Sequence, residues 1–158
     1  MLFRSLALKD PQTTDLVSAL ITLVYAECSN DACTDGVTHA TQSLALARSG
    51  TPEDPIQIGQ ALLALGYAEW RSGTKGSPEL KMRESIKIFK AQQSSGRIYL
   101  LRALEQYRTY LDAMRRTPDA RQVALEQEQL KKQSGYCPNC TISVYGLDIY
   151  GIDQRNGR

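Results

Sequence analysis

The sequence predicts an all-α chain, a solenoid of about three stacked helical hairpins with a non-helical C-terminal tail. Three observations carry this expectation. Segments recur at a fixed offset of 42 residues. Within them, apolar residues fall at i, i+3, i+4 and i+7, the spacing of one helix face. Proline and glycine signals for helix starts and stops separate them.

The recurrence involves two separate segments. Ser18 to Glu27 (SALITLVYAE) aligns with Gln60 to Glu69 (QALLALGYAE) and, a further 42 residues on, with Arg102 to Leu111 (RALEQYRTYL). Ser43 to Arg48 (SLALAR) aligns with Ser85 to Lys90 (SIKIFK) at the same offset. Each unit therefore reads as two helices. The first spans about 13–28 and presents Leu16, Ala19, Leu20 and Leu23. The second spans 36–48 and stops before Gly50. Pro52 and Pro55 break the chain before 56–72, whose face is Ile58, Ala61, Leu62 and Leu65, and Gly73 ends it. Ser77-Pro78-Glu79 supplies a cap, a first-turn proline and an acid for 78–94. Gly96 separates this helix from 97–115, and Thr117-Pro118-Asp119 opens 118–133. A lone hairpin cannot bury its apolar face, so the units are expected to stack over residues 13–133. Residues 1–12 contain a further SLAL (Ser5 to Leu8). They read either as the remnant of a preceding repeat or as a cap over the first hairpin. Residues 134–158 form the tail.

The pattern resembles the tetratricopeptide repeat family. Leu65-Gly66 matches the family's Leu-Gly pair in the first helix of a unit, and Gly73 the glycine that ends it. Gly36 and Ala120 stand where a small residue lets two helices cross closely, with Ala40 and Ala124 one turn later. The 42-residue period is similar to the variant in kinesin light chains and bacterial regulator domains. Glu27, Glu69 and Leu111 depart from the tyrosine usual at that place, and Pro78 from the usual alanine. The resemblance implies a right-handed solenoid that docks a protein or peptide in a concave groove.

Composition sets the outer bounds. Hydrophobic residues make up 42% of the 158 and charged residues 23%, the balance of a folded globular chain. No apolar run approaches the roughly 20 residues of a membrane span. The segment MLFRSLAL is short for a signal peptide, so a cytoplasmic location is expected. The net charge of +2 gives no general pull towards nucleic acid. It hides an asymmetry: residues 1–70 carry 3 basic and 8 acidic side chains, residues 71–133 carry 14 and 7. Such a dipole reads first as solvated helix faces, and alternatively as a basis for head-to-tail self-association or for an acidic partner at the basic end.

If the first helices line the groove, its stripe comprises Ser18, Ile21, Tyr25 and Cys28, then Gln60, Leu63, Tyr67, Trp70 and Arg71, then Arg102, Glu105, Thr109 and Asp112. Tyr67 and Trp70 are three apart and share a face. Aromatic residues beside arginine are the usual anchors of protein interfaces; the same spacing also suits packing between hairpins. Arg97, Arg102, Arg108, Lys87 and Lys90 give the third hairpin a basic cast, which reads first as a solvated face and alternatively as a clamp for a carboxylate of a peptide partner.

The four cysteines fall in two local pairs. Cys28 and Cys33 bracket the first turn and, without a signal peptide, are expected as free, partly buried thiols, a disulfide being the alternative in an oxidising compartment. Cys137-Pro138-Asn139-Cys140 has the form of one zinc knuckle, but a complete site needs two further ligands. No cofactor is therefore expected, zinc being the one candidate. No catalytic constellation occurs: there is no phosphate loop, no HExxH and no nucleophile elbow. His39, the only histidine, reads as structural. The expected role is a binding module, not an enzyme. The alternatives are a regulatory or structural segment of a larger protein, or a metal- or thiol-dependent protein centred on Cys137 and Cys140.

Overall fold

The structure, a computed structural model, describes residues 11–133. The SLAL segment at 5–8 and the tail with Cys137 and Cys140 lie outside them. The described residues form six α-helices: α1 (Pro11–Ser29), α2 (Cys33–Ser49), α3 (Pro55–Ser72), α4 (Pro78–Ala91), α5 (Gln93–Ala113) and α6 (Thr117–Gln133). No strand occurs among them. Each helix packs on the next. In addition α1 touches α3 and α3 touches α5, whereas the backbones of α2, α4 and α6 stay apart. One row of helices is thus closed and the other splayed. Long side chains span the splayed row, with Arg48 and Glu84 3.7 Å apart between α2 and α4, and Lys90 and Glu126 2.6 Å apart between α4 and α6.

Helix α3 is the hub. From Gln57 to Glu69 only Gln60 and Tyr67 keep partial exposure, because α3 is flanked by α1, α2, α4 and α5. It starts at Asp54, whose side chain accepts hydrogen bonds from the backbone N–H groups of Ile56 (2.9 Å) and Gln57 (3.4 Å). It ends at Gly73 with φ +67°, a left-handed cap that glycine adopts at no steric cost. Two glycines let neighbours approach. A Cβ on Gly59 would fall 2.6 Å from the Phe89 ring of α4, and one on Gly66 2.9 Å from the Pro78 carbonyl.

Residues 42 apart make matching contacts. Glu27 of α1 meets His39 of α2 at 2.9 Å, and Glu69 of α3 meets Lys81 of α4 at 2.8 Å. In the third hairpin the corresponding positions are Leu111 and Val123, both buried in one apolar cluster. The aliphatic pair occupies the place of the ion pair. Ser43 and Ser85, also equivalent, are both fully buried where α2 and α4 lie against the core.

Several expectations are corrected. The apolar face of α1 is not Leu16, Ala19, Leu20 and Leu23. Only Leu20 of these is buried; the core side is Val17, Leu20, Val24 and Cys28, while Leu16 and Leu23 are 46% and 41% exposed. In α3 the equivalent residues are all buried because α3 is covered on two sides. Among the described residues α1 is flanked by α2 and α3 only. Cys28 and Cys33 are not free thiols: they form a disulfide that closes the α1–α2 turn. Gly96 does not end a helix. It lies in the first turn of α5, where a Cβ would run into the Phe89 carbonyl. The break falls earlier, at Gln92 and Gln93, and Gln93 takes φ +49°. Helix α6 begins at Thr117 itself, one residue before the expected start.

Candidate functional site

The closed row of α1, α3 and α5 places side chains of all three helices on one face. Five aromatic rings form an unbroken line across it. Tyr25 of α1 stands 5.3 Å from Tyr67 of α3, Tyr67 lies 6.1 Å from Trp70, and Trp70 meets Tyr110 of α5 edge-on at 5.7 Å. Tyr110 stacks near-parallel on Tyr107 at 6.3 Å. These separations are those of favourable aromatic pairs. All five residues are partly exposed, so each ring braces its neighbours and still offers an edge or face to solvent.

Two guanidinium groups sit over this line. Arg102 lies 4.8 Å from the centre of the Tyr25 ring. Arg71 lies 5.8 Å from that of Tyr67 and donates to its hydroxyl at 3.3 Å. Both arginines are exposed, and among the described residues neither meets a carboxylate at ion-pair distance. The Tyr25 hydroxyl donates to Gln106 at 3.4 Å. Burial pushes its ionisation above the ordinary phenol value, against the opposing charge of Arg102. Beside this pair, Ile21, Gln60, Leu63 and Tyr99 line a small recess.

The far end of the line is anchored differently. The Tyr107 hydroxyl donates to Glu79 of α4 at 2.9 Å, and Arg116 donates to the other Glu79 oxygen at 2.7 Å and to Asp119. The hydrogen bond from Arg116 holds the Glu79 carboxyl below its usual range despite partial desolvation, and Tyr107 adds to this. Burial, with the Glu79 charge beside it, pushes the Tyr107 phenol up to about 12.

Of the expected groove residues, Tyr25, Gln60, Tyr67, Trp70, Arg71 and Arg102 are brought to this face or its recess. Leu63 is only 3% exposed and belongs to the core, where it forms the recess wall. Cys28 is buried in the disulfide. Glu105 faces α6: it accepts from Gln127 at 2.9 Å and pairs with Arg108. Burial would raise its carboxyl, but Gln127 and Arg108 hold it below the usual range. The basic residues of the third hairpin do not form one clamp, since Lys90 engages Glu126 and Arg108 engages Glu105.

Tyr107 and Tyr110 were not expected at the site. A strict 42-residue step from Tyr67 and Trp70 leads to Thr109 and Asp112. The signal that finds the tyrosines is their spacing of three, which matches Tyr67 and Trp70 with a shift of two residues.

His39 is engaged by Glu27. Among the described residues no group of three His, Cys, Asp or Glu is placed to hold a metal, and no helix is long and apolar enough to cross a membrane. Comparisons with protein-family models, curated proteins and solved structures give no match.

Proposed function

We propose that this protein is a binding module, not an enzyme, and that it docks a protein or peptide on the α1/α3/α5 face. In this reading the two rows of helices are those of a right-handed, tetratricopeptide-like solenoid, and the closed row is its concave side. One observation carries the proposal: the unbroken line Tyr25, Tyr67, Trp70, Tyr110 and Tyr107, with the exposed Arg71 and Arg102 over it, neither meeting a carboxylate at ion-pair distance among the described residues. Aromatic and arginine side chains concentrate binding energy because they bury large area with few rotatable bonds. Here the neighbouring rings already restrict their rotamers, which lowers the entropy cost of docking. A partner with a carboxylate near an apolar side chain satisfies both features of the face.

The test is capture from lysate with the wild-type chain and with an Arg71→Glu/Arg102→Glu variant, both checked for helicity and melting temperature. Both arginines are exposed, so the fold is expected to survive. A partner held by wild type and weakened at least about tenfold by the variant supports the proposal. Equal capture by the two overturns it.

A further inference from the structure

The surface of α1 turned away from the aromatic line has a counterpart inside the molecule. Leu16, Ala19, Leu23 and Ala26 are exposed. The residues 42 further on in α3 are Ile58, Ala61, Leu65 and Ala68, and all four are buried in the core cluster that α3 shares with α1 and α2. Helix α2 supplies Leu44 and Ala47 to that cluster, with Leu46 packed against it. These residues belong to the run Ser43-Leu44-Ala45-Leu46-Ala47, in the helix that precedes α3. The same letters, Ser5-Leu6-Ala7-Leu8, stand just before α1. Asp10-Pro11 then opens α1 as Asp54-Pro55 opens α3. The face of α3 and the segment that covers it therefore both have copies one unit earlier. The copy of the face is exposed, and the copy of the segment lies outside the described residues.

We infer that residues 1–10 are the second flank of α1. Met1 to Leu8 pack antiparallel on Leu16, Ala19 and Leu23, with Leu6 and Leu8 in the places that Leu44 and Leu46 hold against α3. Besides the repeated letters, three observations select this occupant. Six of the eight residues Met1 to Leu8 are apolar, so the segment gains by leaving water. Its attachment fixes where it goes. Only Lys9 and Asp10 join it to Pro11, a connection of the length found in tight helical hairpins. Eight helical residues span about 12 Å. That brings the segment alongside Leu16 and Ala19 and leaves the long side chains of its far end, Met1 and Phe3, for Leu23. So short a tether also raises its effective concentration far above that of a separate partner. The charges agree as well. Asp15 is the one charged residue between 11 and 26 and is exposed beside Leu16, and the segment carries Arg4 and Lys9. Tyr25 and Ile21 lie on the opposite side of α1, so this packing leaves the aromatic face open and holds whether or not that face docks a partner.

Urea unfolding of the full chain tests this. Leu6→Gln and Leu16→Gln are each expected to raise the unfolding equilibrium constant at least about tenfold, the scale of a buried leucine. Leu125→Gln, at an exposed position of α6, is the reference and is expected to change it about twofold or less. The double variant Leu6→Gln/Leu16→Gln is expected to fall short of the product of the single effects by about threefold or more, because each change removes the other's contact. Leu6→Ala and Leu16→Ala repeat the cycle should a glutamine variant not fold. The urea midpoint of wild type is expected to stay constant from about 1 μM to about 100 μM, as for a contact within one chain. An effect of Leu16→Gln no larger than that of Leu125→Gln overturns the inference, since the stripe then faces water. Single effects that simply multiply overturn it too. A midpoint that rises with concentration assigns the stripe to a second copy and also overturns it.

Discussion

Glu69, which is buried, and Lys81, which is partly exposed, stand where the third hairpin has Leu111 and Val123. Breaking such a pair from one side leaves a desolvated charge, whereas replacing both members by packed aliphatic side chains is often neutral or stabilising. Lys81→Ala is therefore expected to destabilise by about 1–3 kcal/mol. The swap Glu69→Leu/Lys81→Val is expected to cost less than either single change. Urea unfolding of Lys81→Ala, of Glu69→Leu and Lys81→Val singly, and of the double swap measures this. Tyr107 and Glu79 make a pH prediction. The raised phenol contributes stability that is complete below pH 10, the usual tyrosine range, and is lost as pH rises through about 12. The depressed Glu79 carboxyl contributes stability present above the usual carboxylate range and lost as acid protonates it. In an ultraviolet titration of the folded protein, one tyrosine is expected to ionise near 12, and Tyr107→Phe removes that step. Tyr107 was not legible as a site residue because its partner, Glu79, comes from another helix 28 residues away.

At the scale of the element, the starts and stops were largely written in local sequence. Gly73 caps α3 as its position predicts, and Pro55 and Pro78 each open a helix. Asp54 went unnoticed between two prolines, yet it satisfies two N–H groups of α3. Asp54→Ala is expected to cost about 0.5–2 kcal/mol in thermal or urea unfolding. Other turns use residues whose type gives no signal. Asp31 and Arg115, in connections between helices, and Gln93, the first residue of α5, all take the left-handed conformation. Arg115→Gly is expected to raise stability by about 1 kcal/mol, since a side chain there costs energy that glycine avoids. Gly59 is the opposite case. Its α-helical conformation suits any residue, and only the Phe89 ring of α4 demands its lack of a side chain. Gly59→Ala is expected to destabilise by about 1–3 kcal/mol through overpacking, read as a lower urea midpoint.

For the whole molecule, the disulfide joins the acidic first hairpin into one unit. Its sequence separation is 5, and for so short a loop the chain-entropy model gives about 2 kcal/mol of stabilisation. A Cys28→Ala/Cys33→Ala variant is expected to lose that amount in urea unfolding; an unchanged midpoint sinks the prediction. The sequence by itself determined that the described chain is helical and where its helices lie to within a few residues. Periodicity, caps and breakers act over one or two turns and need no tertiary partner. Eight of the thirteen groove residues named from sequence reach the aromatic face or its recess, Ile21 and Leu63 as recess walls, because helical spacing fixes which side chains share a side. Tertiary structure alone decided how much of each side is covered. Leu16 and Leu23 share the sequence pattern of Ile58 and Leu65, but among the described residues α1 lacks the second flank that buries them in α3. It also decided that Cys28 meets Cys33, that Glu105 faces α6, and that tyrosines from three helices join in one line. Each of these depends on how one helix is placed against another, and no single stretch of sequence encodes that placement.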